Sequence, residues 1–169
     1  MNVQIKVISR EISEYLWRAG QTVSTAESCT SGLVASAMTS IPGSSAYFRG
    51  GVIPYAEDLK TALLNVPEDM LKANGAVSEP VACAMAEGVI ERLHSDYAIA
   101  VTGYAGPGGG PEAAVGTIWL AVGKTGDMET RMLTGDDGRE VNVQRATLTA
   151  LVMLLDKLHR DFPVEEGDK

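Results

Sequence analysis

The stretch PGSSAYFRGGVIPYAEDLK, residues 42–60, brings serine hydroxyls, a phenol and a primary amine together without a histidine. A serine hydroxyl needs a base to become a nucleophile. A lysine can be that base where burial or a neighbouring positive group lowers its pKa enough to leave it partly neutral. A tyrosine close by can relay a proton or donate to a developing oxyanion. Ser45, Tyr55 and Lys60 are the candidates for such chemistry. Each also has a plain structural reading: Ser45 as a turn residue, Tyr55 as an aromatic at a strand end, Lys60 as a solvated helix residue. Residue type alone leaves both open.

Two further stretches carry groups suited to holding a ligand. In TAESCTSG, residues 25–32, Ser28, Thr30 and Ser31 surround an expected helix start, and capping accounts for at least one of these hydroxyls. The surplus, with Gly32 permitting close approach, fits an anion site equally well. That site would lie at the carboxyl end of a strand, where open α/β sheets bind ligands. Glu27 is read as an anion at the helix start rather than as a pocket carboxylate. In TGYAGPGGGPEAAVGT, residues 102–117, Gly106, Gly108, Gly109 and Gly110 allow positive φ and let main-chain amides converge on an anion with no Cβ in the way. The stretch matches neither G-x-x-x-x-G-K-[ST] nor a G-x-G-x-x-G that opens a helix. A ligand loop and a tight β-β connection therefore stand as equal readings.

The elements that must position these groups follow from periodicity. Ile5, Ile8, Ile12 and Leu16 recur at helical spacing and Gly20 follows as a stop. QTVSTAES reads as a short strand, and CTSGLVASAMTSI as a helix from near Thr30, closed by Pro42 and Gly43. YFRGGVIPY is a strand whose Gly50, Gly51 and Pro54 mark a bulge or a sheet edge. Helices follow in EDLKTALL, in PEDMLKANG between Pro67 and Gly75, and in EPVACAMAEGVIERLH after Ser78. Strands are expected near 97–102, 116–123 and 128–134. The last helix, near 139–160, carries Val141, Leu148, Val152, Leu155 and Leu158 on one face. Helices enough for both faces of about five strands predict an α/β fold, a three-layer α/β/α sandwich. The late run of strands on short links makes the sheet mixed. One domain over 1–162 with a disordered tail at 163–169 is expected.

Composition narrows the function classes. Of 169 residues 45% are hydrophobic and 21% charged, as in globular proteins, and no run is long and apolar enough for a membrane span. The N-terminus lacks the features of a signal peptide, so a cytoplasmic protein with no membrane partner is expected. A net charge of −8 without a local basic cluster argues against nucleic acid as a partner, while a small phosphorylated ligand stays compatible. Cys29 and Cys83 belong to no metal motif and read as buried thiols; His94 and His159 fall near helix ends.

Several blocks taken together resemble a known family. TVSTAESCTSGLVASAMTSIPGSSAYFRGGVIPYAEDLK, NGAVSEPVACAMAEG, AVTGYAGPGGG and VGTIWLAV occur in the order found in the C-terminal domain of the competence/damage-inducible CinA family. The resemblance runs from about Ile12 to Leu155. It implies an α/β/α sandwich with a mixed sheet, and the hydrolysis of nicotinamide mononucleotide to nicotinate mononucleotide and ammonia without metal or cofactor. It implies Ser45 as the catalytic serine that attacks or orients water, Lys60 as the proton acceptor and Tyr55 as an assistant in proton transfer. The glycine loop and the ESCTSG helix start would wrap the nucleotide, and Arg139 and Arg145, in a segment similar to the family's GDR, are candidates for its phosphate. A homo-oligomer is expected on the same ground.

Departures from the family pattern are local. Ser31 stands where the family's SCTGG has glycine, IPYAEDLK replaces VTYSNEAK, and PEAAVGT is shorter and lacks a lysine-proline pair. A non-catalytic nucleotide-binding or regulatory domain, or an amidase of another nucleotide, is therefore the alternative reading. The family's two-domain members carry a pyrophosphatase-type activity in an N-terminal half, and nothing of that chemistry is carried over.

Overall fold

Ile5, Ile8, Ile12 and Leu16 form the buried stripe of helix α1 (Val3–Ala19), which ends before Gly20 at positive φ. A computed structural model describes residues 3–163; of the expected tail only Pro163 lies among them. The elements that follow are β1 (Val23–Glu27), α2 (Leu33–Thr39), a 3₁₀ turn (Ser44–Ala46), β2 (Phe48–Val52), α3 (Glu57–Leu64), α4 (Glu68–Asn74), α5 (Glu79–Leu93), β3 (Tyr97–Gly103), β4 (Ile118–Lys124), β5 (Asp127–Leu133) and α6 (Arg139–Asp161). Their order is the one read from the sequence.

The sheet runs β2-β1-β3-β4-β5, with β2, β1 and β3 parallel and β4 and β5 antiparallel to their inner neighbours. It is mixed, and β2, interrupted by Gly50 and Gly51, is an edge strand as its composition suggested. Side chains alternate across the pleat. On β3, Tyr97, Ile99 and Val101 join the core beneath α1, α2 and α6, while Ala98 and Ala100 face α5. The small residues let α5 lie close to the sheet. Its Gly88 is equally tight on the other side, where a Cβ would collide with the Leu64 carbonyl of α3. These two cores make the three-layer α/β/α sandwich, with α3, α4 and α5 on the second face.

Four local expectations change. Helix α2 begins at Leu33, not near Thr30, because residues 28–32 turn to meet Glu27. Ser78 precedes α5, but its hydroxyl donates back to Gly75 O rather than capping the helix. The buried face of α6 is rotated: Asn142, Ala146, Ala150 and Leu154 are buried with Leu155 and Leu158, whereas Val141 is exposed. Cys29 is buried, but Cys83 is only half-buried. No helix among the described residues is long and apolar enough to cross a membrane.

Candidate active site

Strand β1 connects to β2 on one side and, in the sheet, neighbours β3 on the other. The carboxyl ends of these parallel strands therefore diverge into connections that leave in opposite directions, which opens a crevice. A cleft of about 350 Å³ occupies that place. Ser28 and Cys29 reach it from the end of β1, Tyr55 from the segment after β2, Lys60 from α3, Thr102 to Gly109 from β3 and the loop beyond, and Arg139 from the start of α6.

Lys60 is the unusual group. Its residue is 2% exposed, and Nζ donates to Pro54 O at 3.0 Å and to Ser28 Oγ at 3.5 Å. No ion pair to a carboxylate holds it among the described residues. Burial therefore lowers its pKa below the usual lysine value, and the nearby Glu57 charge offsets only part of the effect. Lys157 shows what a paired lysine does in the same fold. It is equally buried, yet Asp127 at 2.7 Å, Asp161 at 3.6 Å and Glu129 at 3.9 Å surround it. Burial pulls its pKa down, but those carboxylates outweigh burial and raise it. Of these two buried lysines, Lys60 is the one whose pKa is lowered.

Ser28 is held to meet it. Its amide donates to Val101 O at 2.9 Å, which continues the β1–β3 ladder by one residue and fixes the backbone as the chain turns toward α2. The hydroxyl is in the cleft and the residue is buried. Across the cleft, Arg139 donates to Tyr55 Oη at 3.0 Å and to the Gly106 carbonyl, and no carboxylate pairs with it among the described residues. Arg145 is spent otherwise, on Asp137 and on Gly135 O. Two of the five guanidinium donors of Arg139 are in use and the rest are available to an anion.

The other residues singled out in the sequence divide. Gly106, Gly108 and Gly109 line the cleft. Gly110 does not: its amide donates to Ala113 O at 3.0 Å, and a Cβ there would strike the Tyr104 ring. At Gly109 a Cβ would meet Ala113 O and Val115 N, each at 2.6 Å. Much of the glycine content thus serves the loop's own tight return to β4. Thr30 and Gly32 are not free for a ligand either. The buried Glu27 carboxylate takes the Thr30 hydroxyl at 2.8 Å and the amides of Gly32, Val34 and Ala35 at 3.0, 3.1 and 2.8 Å. The helix start already has its anion, as the position of Glu27 suggested. Ser31 is exposed beside Arg139 in an adjoining hollow, in the left-handed region at φ 52 that favours the family's glycine. Ser45 sits on the exposed 3₁₀ turn and does not line the cleft.

Sequence reading gave Ser28 a binding role and missed its place opposite Lys60. The available signal was its position at the end of a buried strand, before the turn into α2. It also passed over Tyr104, which lines the cleft and whose phenol bonds Glu112 and is pushed up to about 12 by burial and by that bond. Glu112 in turn accepts from Val77 N at 3.1 Å and so ties the glycine loop to the segment before α5. Burial pushes the Cys29 thiol up to about 11, which keeps it protonated in the cleft at neutral pH.

The fold and the cleft define an α/β/α domain with a polar site at the carboxyl ends of its parallel strands. The family model of the CinA C-terminal domain matches residues 5–158, and the chain belongs to that family. It is 48% identical over 149 residues to a CinA-like protein of Gemmatimonas aurantiaca and 50% identical over 147 residues to one of Parasynechococcus marenigrum. These alignments cover 87% and 86% of this chain, which spans about a third, 34%, of the length of either relative. Among solved structures, the competence/damage inducible protein CihA from Agrobacterium tumefaciens superposes with a TM-score of 0.88 at 40% identity, over 92% of this chain and 96% of that one. A CinA superfamily protein from Klebsiella pneumoniae gives 0.89 at 31% identity, over 95% and 99%.

Proposed function

We propose that the protein hydrolyses the carboxamide of nicotinamide mononucleotide, giving nicotinate mononucleotide and ammonia. The observation that carries this reading is a buried lysine without a carboxylate partner, facing a serine hydroxyl in a cleft that also presents the Arg139 guanidinium. Membership of the CinA family is consistent with it.

In its neutral form Lys60 Nζ accepts the Ser28 hydroxyl proton while Oγ bonds to the carboxamide carbon and the carbonyl π pair moves onto oxygen. Tyr55 Oη accepts from Arg139, so its own proton is free to be donated to that oxyanion and is recovered on collapse. Collapse breaks the C–N bond; the nitrogen leaves with the bonding pair, takes the proton from Lys60 and departs as ammonia. Water, deprotonated by the same amine, then adds to the acyl-serine, and Ser28 Oγ leaves and regains a proton. The remaining donors of Arg139 hold the phosphate. Ser28 replaces Ser45 as the nucleophile here, because Ser28 and not Ser45 shares the cleft with Lys60. The 3.5 Å separation is long for proton transfer, and the proposed step requires it to shorten in the substrate complex.

The test is ammonia release. Purified protein, with a chelator present, is expected to release ammonia from nicotinamide mononucleotide and to leave free nicotinamide intact. Folded protein that stays inactive across pH and enzyme concentration would move the assignment to a non-catalytic nucleotide-binding domain.

A further inference from the structure

Asn142 is a polar residue on the buried face of α6, fully inaccessible, in line with Ala146, Ala150 and Leu154. Its amide uses its full hydrogen-bonding capacity. Nδ2 donates to Ala105 O at 3.0 Å and to Asp136 Oδ1 at 2.9 Å; Oδ1 accepts from Asp137 N at 3.1 Å and from the Arg145 guanidinium at 3.3 Å. Asn142 itself does not line the cleft, but Ala105 does. These bonds join Ala105 of the glycine loop to the turn that launches α6.

Arg139, three residues earlier on the same helix, takes the next carbonyl, Gly106 O. Two successive carbonyls of the loop are thus bound by two side chains on neighbouring turns of one helix. Gly106 lies between them at φ 108, a conformation an L-residue rarely adopts. The Asn142 bond sets where Ala105 O sits, Ala105 sets where Gly106 O sits, and Gly106 O orients the guanidinium that also reaches Tyr55. We infer that Asn142 is a positioning residue: it fixes the glycine loop against α6 so that Arg139 presents its free donors to the anionic end of a phosphorylated substrate. The inference rests on the reading of Arg139 as the phosphate-binding group.

The experiment compares binding and turnover of nicotinamide mononucleotide with those of nicotinamide riboside, which lacks the phosphate. Asn142→Asp keeps the shape of the side chain but cannot donate to Ala105 O, and it sets a carboxylate against Asp136. It is expected to weaken binding of the mononucleotide at least about tenfold, the scale of a lost buried donor, and to change riboside binding little. The companion variant Asn142→Asp with Asp136→Asn relieves the like charge while still leaving Ala105 O without its donor. It is expected to recover thermal stability and not mononucleotide affinity.

Recovery of both in the paired variant, or an equal loss for mononucleotide and riboside, would reduce Asn142 to a structural role and overturn the inference. Binding is read by calorimetry, so a protein that binds the mononucleotide without hydrolysing it tests this inference even if the amidase reading fails. A wild-type protein that binds the two compounds equally would remove Arg139 as the phosphate-binding group, and the inference with it.

Discussion

Lys60 Nζ stands 3.5 Å from Ser28 Oγ, an amine from the first turns of α3 against a hydroxyl from the end of β1. The two meet because β1 and β2 are adjacent and parallel, so the chain leaving each strand emerges at the same edge of the sheet. Serine paired with lysine is a known alternative to a histidine-based nucleophile.

The two serines separate geometry from resemblance. Ser28→Ala is expected to lower kcat for nicotinamide mononucleotide by at least about a thousandfold, as removal of a nucleophile does, with the fold intact by circular dichroism. Ser45→Ala, on the exposed 3₁₀ turn, is expected to retain most of its rate. The reverse pattern would return the nucleophile to Ser45.

Lys60 is expected to govern the pH profile. Its pKa is lowered in the fold, so kcat should rise with pH through a single ionisation below the ordinary lysine value of 10.5. Lys60→Arg keeps a positive charge but cannot give up a proton, and should lose at least about a hundredfold in kcat. A rate close to wild type would leave Lys60 supplying charge alone and make Tyr55 the next candidate base.

The same shift has a stability sign. A group whose folded pKa is depressed below its unfolded value binds fewer protons in the folded chain, so it penalises folding at low pH. For a lysine that penalty is full below the folded pKa and disappears as pH rises toward the unfolded one. Lys60→Met should therefore be inactive yet more stable than wild type at pH 7, with the gain shrinking by pH 10. Denaturant unfolding at the two pH values measures it, and a loss of stability at pH 7 would refute it.

Glu27 is expected to matter for folding rather than for catalysis. Glu27→Ala leaves three amides and the Thr30 hydroxyl without their acceptor at the start of α2, and should cost about 3 kcal/mol. Urea unfolding monitored by tryptophan fluorescence reads this directly. A change below about 0.5 kcal/mol, the range of ordinary surface substitutions, would mean that water replaces the carboxylate.

The glycine loop should respond sterically. Gly109→Ala places a Cβ against Ala113 O and Val115 N, which forces the loop to shift where it lines the cleft. KM is expected to rise and thermal stability to fall together. A KM effect without loss of stability would show that the space at Gly109 serves substrate rather than the chain.

By itself the sequence determined what depends on neighbours along the chain. The helical stripe of α1, the edge character of β2 with its paired glycines, the mixed sheet implied by three late strands, and the placing of Glu27 as a helix-start anion all follow from local periodicity and local chemistry. Tyr55, Lys60 and Arg139 were visible as reactive or cationic groups near glycine-rich turns. Which hydroxyl meets Lys60 is a different kind of question. Ser45 is closer to it in sequence, but the 3₁₀ turn holds Ser45 outside the cleft, while the parallel pairing of β1 with β2 carries Ser28 across thirty-two positions to the amine. Asn142 was equally hidden, because a polar residue on a helix's apolar face has meaning only once the loop it bonds has folded against it. Tertiary structure also decided that Lys60 titrates low and Lys157 high: both are buried, and the difference is whether the sheet and helices bring carboxylates to the amine.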